Sequence, residues 1–89
     1  MGLYYKKVIA VFKSRSQVMG FVEIMNNQGV YSSVISTPKE ANVGCGVSAE
    51  FSVLNINKAK SIISNGRFNS FNGFFLIEKR GTHVTTTRI

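Results

Sequence analysis

Hydrophobic and polar residues alternate along this chain with two different periods, and the places where the period switches mark its elements. Val8-Ile9-Ala10-Val11-Phe12 is a continuous apolar run, the pattern of a strand covered on both faces, so a first strand is predicted over Tyr4 to Phe12. Val18, Phe21, Val22 and Met25 then recur at helical spacing, and a helix is predicted from Ser14 to about Asn27. Ser14 suits the N-cap, Gln17 three residues on completes a capping-box pattern, and Gly29 supplies a left-handed stop. Val30 to Thr37 reads as a second strand whose serines suit a sheet edge, ended by Pro38.

A third strand is the clearest by alternation. Val47, Ala49, Phe51 and Val53 point one way, and Ser48, Glu50 and Ser52 point to a polar face. Ile56, Ala59, Ile62 and Ile63 form the apolar face of a second helix capped at Asn55 or Asn57, running to about Asn65 and stopped by Gly66. A fourth strand runs from about Phe71 to Lys79, with Phe74-Phe75-Leu76-Ile77 apolar on both faces. Gly81 to Ile89 shows no packing pattern and reads as a flexible tail.

The order strand, helix, strand, strand, helix, strand is that of the split βαβ, ferredoxin-like motif. The expectation is an α+β domain over residues 1–80, with a four-stranded antiparallel sheet and two helices on one face. Its other face would be open. Phe74, Leu76 or their neighbours would be exposed there, and a homodimer or a docked protein would cover them.

That topology also gathers residues. The end of the first strand, the start of the first helix and the turn between the second and third strands share one end of the domain. Cys45, the only cysteine, falls in that turn between Gly44 and Gly46, near Lys13, Ser14, Arg15 and Ser16 and not far from Arg67. A helix N-terminus and nearby cations lower a thiol pKa, and the flanking glycines open a path to the sulfur. Successive glycine N–H groups can also form a nest for an anion. The plain alternative is a small buried apolar residue in a tight hairpin.

Composition narrows the chemistry. The 89 residues fit one domain, and 44% hydrophobic residues suffice for one core. No apolar run is long enough to span a bilayer, and no secretory leader is evident. One cysteine forms no intrachain disulfide and runs no C-x-x-C cycle, so a reducing, cytoplasmic home is the expectation. One Cys and one His, His83, do not furnish a four-coordinate zinc site, and no metal or cofactor is expected. A Cys–His catalytic pair is equally unsupported, so the cysteine fits a carrier better than an independent enzyme.

The net charge of +7 favours acidic partners, yet the basic residues are scattered and form no tail that grips phosphates. Phe68, Phe71, Phe74 and Phe75 invite comparison with RNA-recognition sheets. The third strand, however, carries Val47-Ser48-Ala49-Glu50-Phe51 and lacks the Lys/Arg-Gly-aromatic opening of that signature. Core packing is the better reading of these phenylalanines, and nucleic acid is not the expected partner. A non-catalytic basic interaction module using the open sheet face is the second functional reading.

Taken together, Phe12-Lys13-Ser14 at the end of the first strand, a helix ending at Gly29, Thr37-Pro38-Lys39-Glu40 after the second strand, and Cys45-Gly46 opening the third make the chain resemble the small bacterial selenium/sulfur carrier-like proteins. That family is also classed as a domain of unknown function. The resemblance covers roughly Tyr5 to Glu78. It implies transfer of sulfur or selenium on Cys45 between a donor and an acceptor protein; on the reading of the residues themselves, Lys39 and Arg15 give electrostatic support, Gly44 and Gly46 shape access, and Ser14 belongs to the binding site. The chain departs from the family pattern at Lys39, where arginine is usual, and at Asn42-Val43-Gly44, where serines are usual.

Overall fold

The computed structural model describes residues 4–39 and 46–89. The elements, in chain order, are β1 (Tyr4–Phe12), α1 (Arg15–Asn27), β2 (Ser33–Ser36), β3 (Val47–Phe51), α2 (Ile56–Asn65), β4 (Phe71–Arg80) and β5 (His83–Arg88). A single 3-10 turn, Val53–Asn55, leads into α2, so Val53 leaves the β3 alternation that the sequence extended to it. The fold is α+β, and its five strands form one antiparallel sheet in the order β2-β3-β1-β4-β5.

The sheet therefore has five strands where the sequence predicted four, because residues expected as a flexible tail pair with β4 from Phe75↔Arg88 to Arg80↔His83. Gly81, at φ 61, occupies the first position of the two-residue turn that makes this hairpin possible. The pairing explains why β4 is apolar on both faces: it is an interior strand and buries both sides. At the opposite edge lies β2, only four residues long.

α1 begins and ends as its residues dictate. The Ser14 hydroxyl accepts from Gln17 N–H at 3.4 Å. At the other end, Gly29 at φ 81 lets its N–H reach Asn26 O and lets Val30 N–H reach Met25 O, both at 3.0 Å, which closes the helix. α2 ends differently. Gly66 is extended, not left-handed (φ −100°, ψ 176°), and its need for glycine is steric: a Cβ there would sit 2.3 Å from the Phe68 ring.

Both helices bury their stripes in the same cluster. Val18, Phe21 and Met25 of α1 and Ala59 and Ile62 of α2 pack with Val8, Ala10, Phe12, Ala49, Phe51 and Phe74 of the sheet. Phe12 is its centre, with ring centroids 5.5 Å from Phe21, 5.8 Å from Phe68 and 5.5 Å from Phe71. A register shift between Val11 and Phe12, with Gly73 at φ 127, bulges β4. The extra residue brings Phe71 and Phe74 to one face, their rings 4.8 Å apart, whereas a regular strand would put them on opposite faces.

On the sheet's other face, the expected exposure is corrected. Phe74 and Leu76 face the helices and are not open there, and of the residues expected on that face it is their neighbours Phe75 and Ile77 that point to it. Nor are these exposed: with Ile9 and Val11 they form a second cluster at 5%, 4%, 0% and 2% accessibility. Ile35 packs against this cluster, and the Arg88 guanidinium lies 5.3 Å from the Phe75 ring centre. The apolar side chains expected to form a homodimer interface are thus already buried within one chain. Ser48 is corrected too. It is fully buried, and its hydroxyl meets the Thr37 hydroxyl at 2.8 Å.

Candidate functional site

The candidate site lies where β1 ends, α1 begins and the β2–β3 connection closes. Three segments are tied together there by hydrogen bonds between residues distant in sequence. Lys13 N–H donates to Ser70 O at 3.1 Å, and Ser14 N–H donates to the Ser70 hydroxyl at 3.1 Å. That hydroxyl donates in turn to Gln17 Oε1 at 2.9 Å, which also accepts Ser70 N–H at 3.0 Å. Gln17 Nε2 donates to Asn69 Oδ1 at 2.5 Å.

The capping box is therefore only half local. Gln17 turns outward to Asn69 and Ser70, and Ser70 takes the Ser14 N–H that a capping-box side chain would have taken. Ser14 is half-buried, while Lys13, Arg15 and Ser16 are exposed at the helix start. The Ser14 and Ser16 hydroxyls stand 2.9 Å apart.

The base of the β2–β3 connection is closed by Thr37 N–H donating to Gly46 O at 3.2 Å. Phe12 is directly paired with Val47 across β1 and β3. Gly46 packs closely on β1: a Cβ there would lie 3.0 Å from Phe12 O, a tight contact with backbone, and 3.5 Å from Thr37 Oγ1. Gly46 is thus pressed against the last residue of β1, beside Lys13 and Ser14. Lys39 is exposed on the β2 side of the same connection. Phe68 packs on Phe12, which brings exposed Arg67 to this end of the domain.

Of the residues singled out from sequence, Ser14, Arg15, Lys39 and Gly46 are brought to this end. Cys45 and Gly44 lie outside the described residues, as does Glu40. Gln17, Asn69, Ser70, Thr37 and Ser48 were missed as parts of the framework. Only Gln17 carried a signal, its spacing from Ser14, and that spacing pointed to the wrong partner. The Asn69-Ser70 pair offers no local pattern, since its partners are more than 50 positions away in the chain.

The first turn of α1 contains no acidic residue and carries Arg15. A helix start already holds the positive end of the backbone dipole, so a cation there runs against local stability. The arrangement is a concentration of positive potential at one end of the domain, suited to an anion. Among the described residues, no helix is long and apolar enough to cross a membrane.

Comparison with known families matches residues 7–70 to the family described as "Putative Se/S carrier protein-like", and the chain belongs to that family. The match runs from Lys7, within β1, to Ser70, which includes every framework residue named above, and it stops before β4. Neither curated proteins nor solved structures gave a significant match.

Proposed function

We propose that this protein is a sulfur or selenium carrier whose working group is the Cys45 thiol. In the sulfur case, the Cys45 thiolate attacks the terminal sulfur of a donor protein's persulfide. A new S–S bond forms, the donor's S–S bond breaks, and the donor leaves as a thiolate. Cys45 then carries a persulfide, which a second protein's nucleophile takes by the same exchange. No net oxidant or reductant is consumed.

Besides the family membership, the position of Gly46 carries this reading. Gly46 follows Cys45 directly in the chain, and Gly46 abuts the last residue of β1. The start of α1, with Lys13 and Arg15, lies immediately beyond. An anionic thiolate or persulfide suits such surroundings, and the electrostatic penalty of Arg15 at the helix start makes sense if an anion offsets it. Lys39 adds to the same field. Ser14 fixes the helix start, and Gly44 and Gly46 leave room for a second sulfur.

The fold reading fits the same proposal. The strand order β2-β3-β1-β4, with both helices feeding one cluster, supports a split βαβ, ferredoxin-like core extended by β5. The protein acts as an accessory to donor and acceptor enzymes in a reducing compartment, the cytoplasm.

The test is incubation with a cysteine desulfurase and free cysteine, followed by intact mass under non-reducing conditions. The expected product gains one sulfur atom, loses it on reduction, and does not form with Cys45→Ala. A donor enzyme that holds selenium on its own cysteine as an S–SeH group should add one selenium atom at the same residue by the same exchange, leaving as a thiolate. A thiol that alkylates readily yet gains neither element from any donor would overturn the proposal.

A further inference from the structure

β5 is a sheet edge left open for pairing. Ile89 N–H donates to Phe74 O at 3.0 Å, so that pair is a hydrogen-bonded one. Antiparallel strands alternate between bonded and non-bonded pairs. With the register running Arg88↔Phe75, Thr87↔Leu76, Thr86↔Ile77 and so on to His83↔Arg80, residues 87, 85 and 83 bond inward to β4. Val84, Thr86 and Arg88 therefore turn both N–H and C=O away from the sheet.

The usual protections of such an edge are missing from β5. It holds no proline and no register shift, and its interior Val84-Thr85-Thr86-Thr87 is uncharged and rich in β-branched residues. By contrast β2, the other edge, is only four residues long. The Thr86 hydroxyl, shielded from water, has no hydrogen-bond partner among the described residues.

From this edge we infer that β5 is a docking strand for an extended, acidic segment of a partner protein, which adds as a sixth strand by backbone pairing. The charge around it selects the partner. Arg88 and His83 lie at its ends, and Lys79 and Arg80 stand beside it on β4, paired with Val84 and His83. Glu78, opposite Thr85, is the one acidic residue among β4 and β5, and its Oε2 is engaged by the Tyr4 hydroxyl at 2.9 Å. A second copy of the chain fits poorly, because antiparallel β5–β5 pairing through the outward residues would set Thr86 against Thr86 and each Arg88 against the other copy's Val84, in one row with that copy's Lys79, and so merge two basic margins. A segment with alternating glutamates meets cations along the same margins. This edge lies beyond the span matched to the family, so the inference stands apart from Cys45 chemistry.

The experiment uses the full chain and a labelled peptide of alternating valine and glutamate, with an alternating valine–lysine peptide as control. The acidic peptide should bind, the lysine peptide at least ten-fold more weakly. On binding, amide hydrogen exchange should slow at Val84, Thr86 and Arg88 while the inward amides of Thr85 and Thr87 change little. Thr86→Pro deletes an outward N–H that no strand among the described residues uses, and it should weaken binding at least ten-fold. Lys79→Glu should weaken it as well. Protection confined to residues away from β5, equal binding of the two peptides, or binding untouched by Thr86→Pro would overturn the inference. So would protection of the outward amides that rises with protein concentration alone, which would assign the edge to a second copy. The exchange pattern of the unmodified chain decides the matter even if the proline variant fails to fold.

Discussion

Replacing Ser70 with alanine is the most direct probe of how the site is framed. Its hydroxyl accepts from Ser14 N–H at 3.1 Å and donates to Gln17 Oε1 at 2.9 Å. Removing it leaves the N-cap amide of α1 without its partner, whereas Gln17 Oε1 keeps the Ser70 N–H at 3.0 Å. One bond is lost outright and one is partly compensated at a half-buried position, so the expected cost is about 1.5 kcal/mol, from net values of roughly 0.5–1.5 kcal/mol per bond. With a urea m-value near the low end for small domains, about 1 kcal/mol/M, the midpoint should fall by roughly 1.5 M with the slope unchanged. The melting temperature should fall by roughly 6–12 °C. Gln17→Ala alone should cost a similar amount. The double variant should cost less than the sum, because both act on one network. A Ser70→Ala midpoint within about 0.3 M of the parent, or strict additivity with Gln17→Ala, would show that these bonds do not hold the start of α1 to β4.

Further outcomes follow from other contacts. Arg15→Glu should stabilise the protein by about 0.3–1 kcal/mol, by matching the helix dipole, yet slow sulfur loading and Cys45 alkylation; a faster reaction would contradict the anion-site reading. Gly66→Ala should cost about 1–3 kcal/mol through collision with the Phe68 ring, measured as a drop in urea midpoint. Gly73→Ala should cost about 1–3 kcal/mol because φ 127 is strained for any side chain and the Arg88 guanidinium lies 2.9 Å from the new Cβ. Deleting residues 82–89 removes β5 and the Arg88 cover on Phe75. It should lower the melting temperature by more than about 10 °C and raise binding of a hydrophobic dye, whereas an unchanged melt would mean β5 contributes nothing.

Local pattern was enough for most elements. The run Val8 to Phe12 announced a strand buried on both faces, and β1 lies at the centre of the sheet. The serines of β2 announced an edge, and Gly29 announced the end of α1, because a left-handed residue is a local requirement. Gly66 announced the end of α2 in the same way, although its constraint is the Phe68 ring and not its own backbone angle. The local logic misread Gln17, because a competing partner arrives from Ser70.

One signal was present in the sequence and pointed to the fifth strand. Phe74 to Ile77 is apolar on both faces, which an edge strand has no reason to be, and Val84 to Thr87 has strong β propensity. A lone hairpin arm without apolar alternation cannot announce its own pairing, because its stability comes from β4 and from Arg88 lying over Phe75. The two helices and the gathering of Ser14, Arg15, Lys39 and Gly46 at one end were thus legible in periodicity, turn residues and chain order, while the family showed in a resemblance carried by motif residues. The tertiary structure alone decided which face each phenylalanine took, what framed the start of α1, and which edge stayed open. Each of those outcomes depends on contacts between residues far apart in the chain, and nearest-neighbour preference carries no information about them.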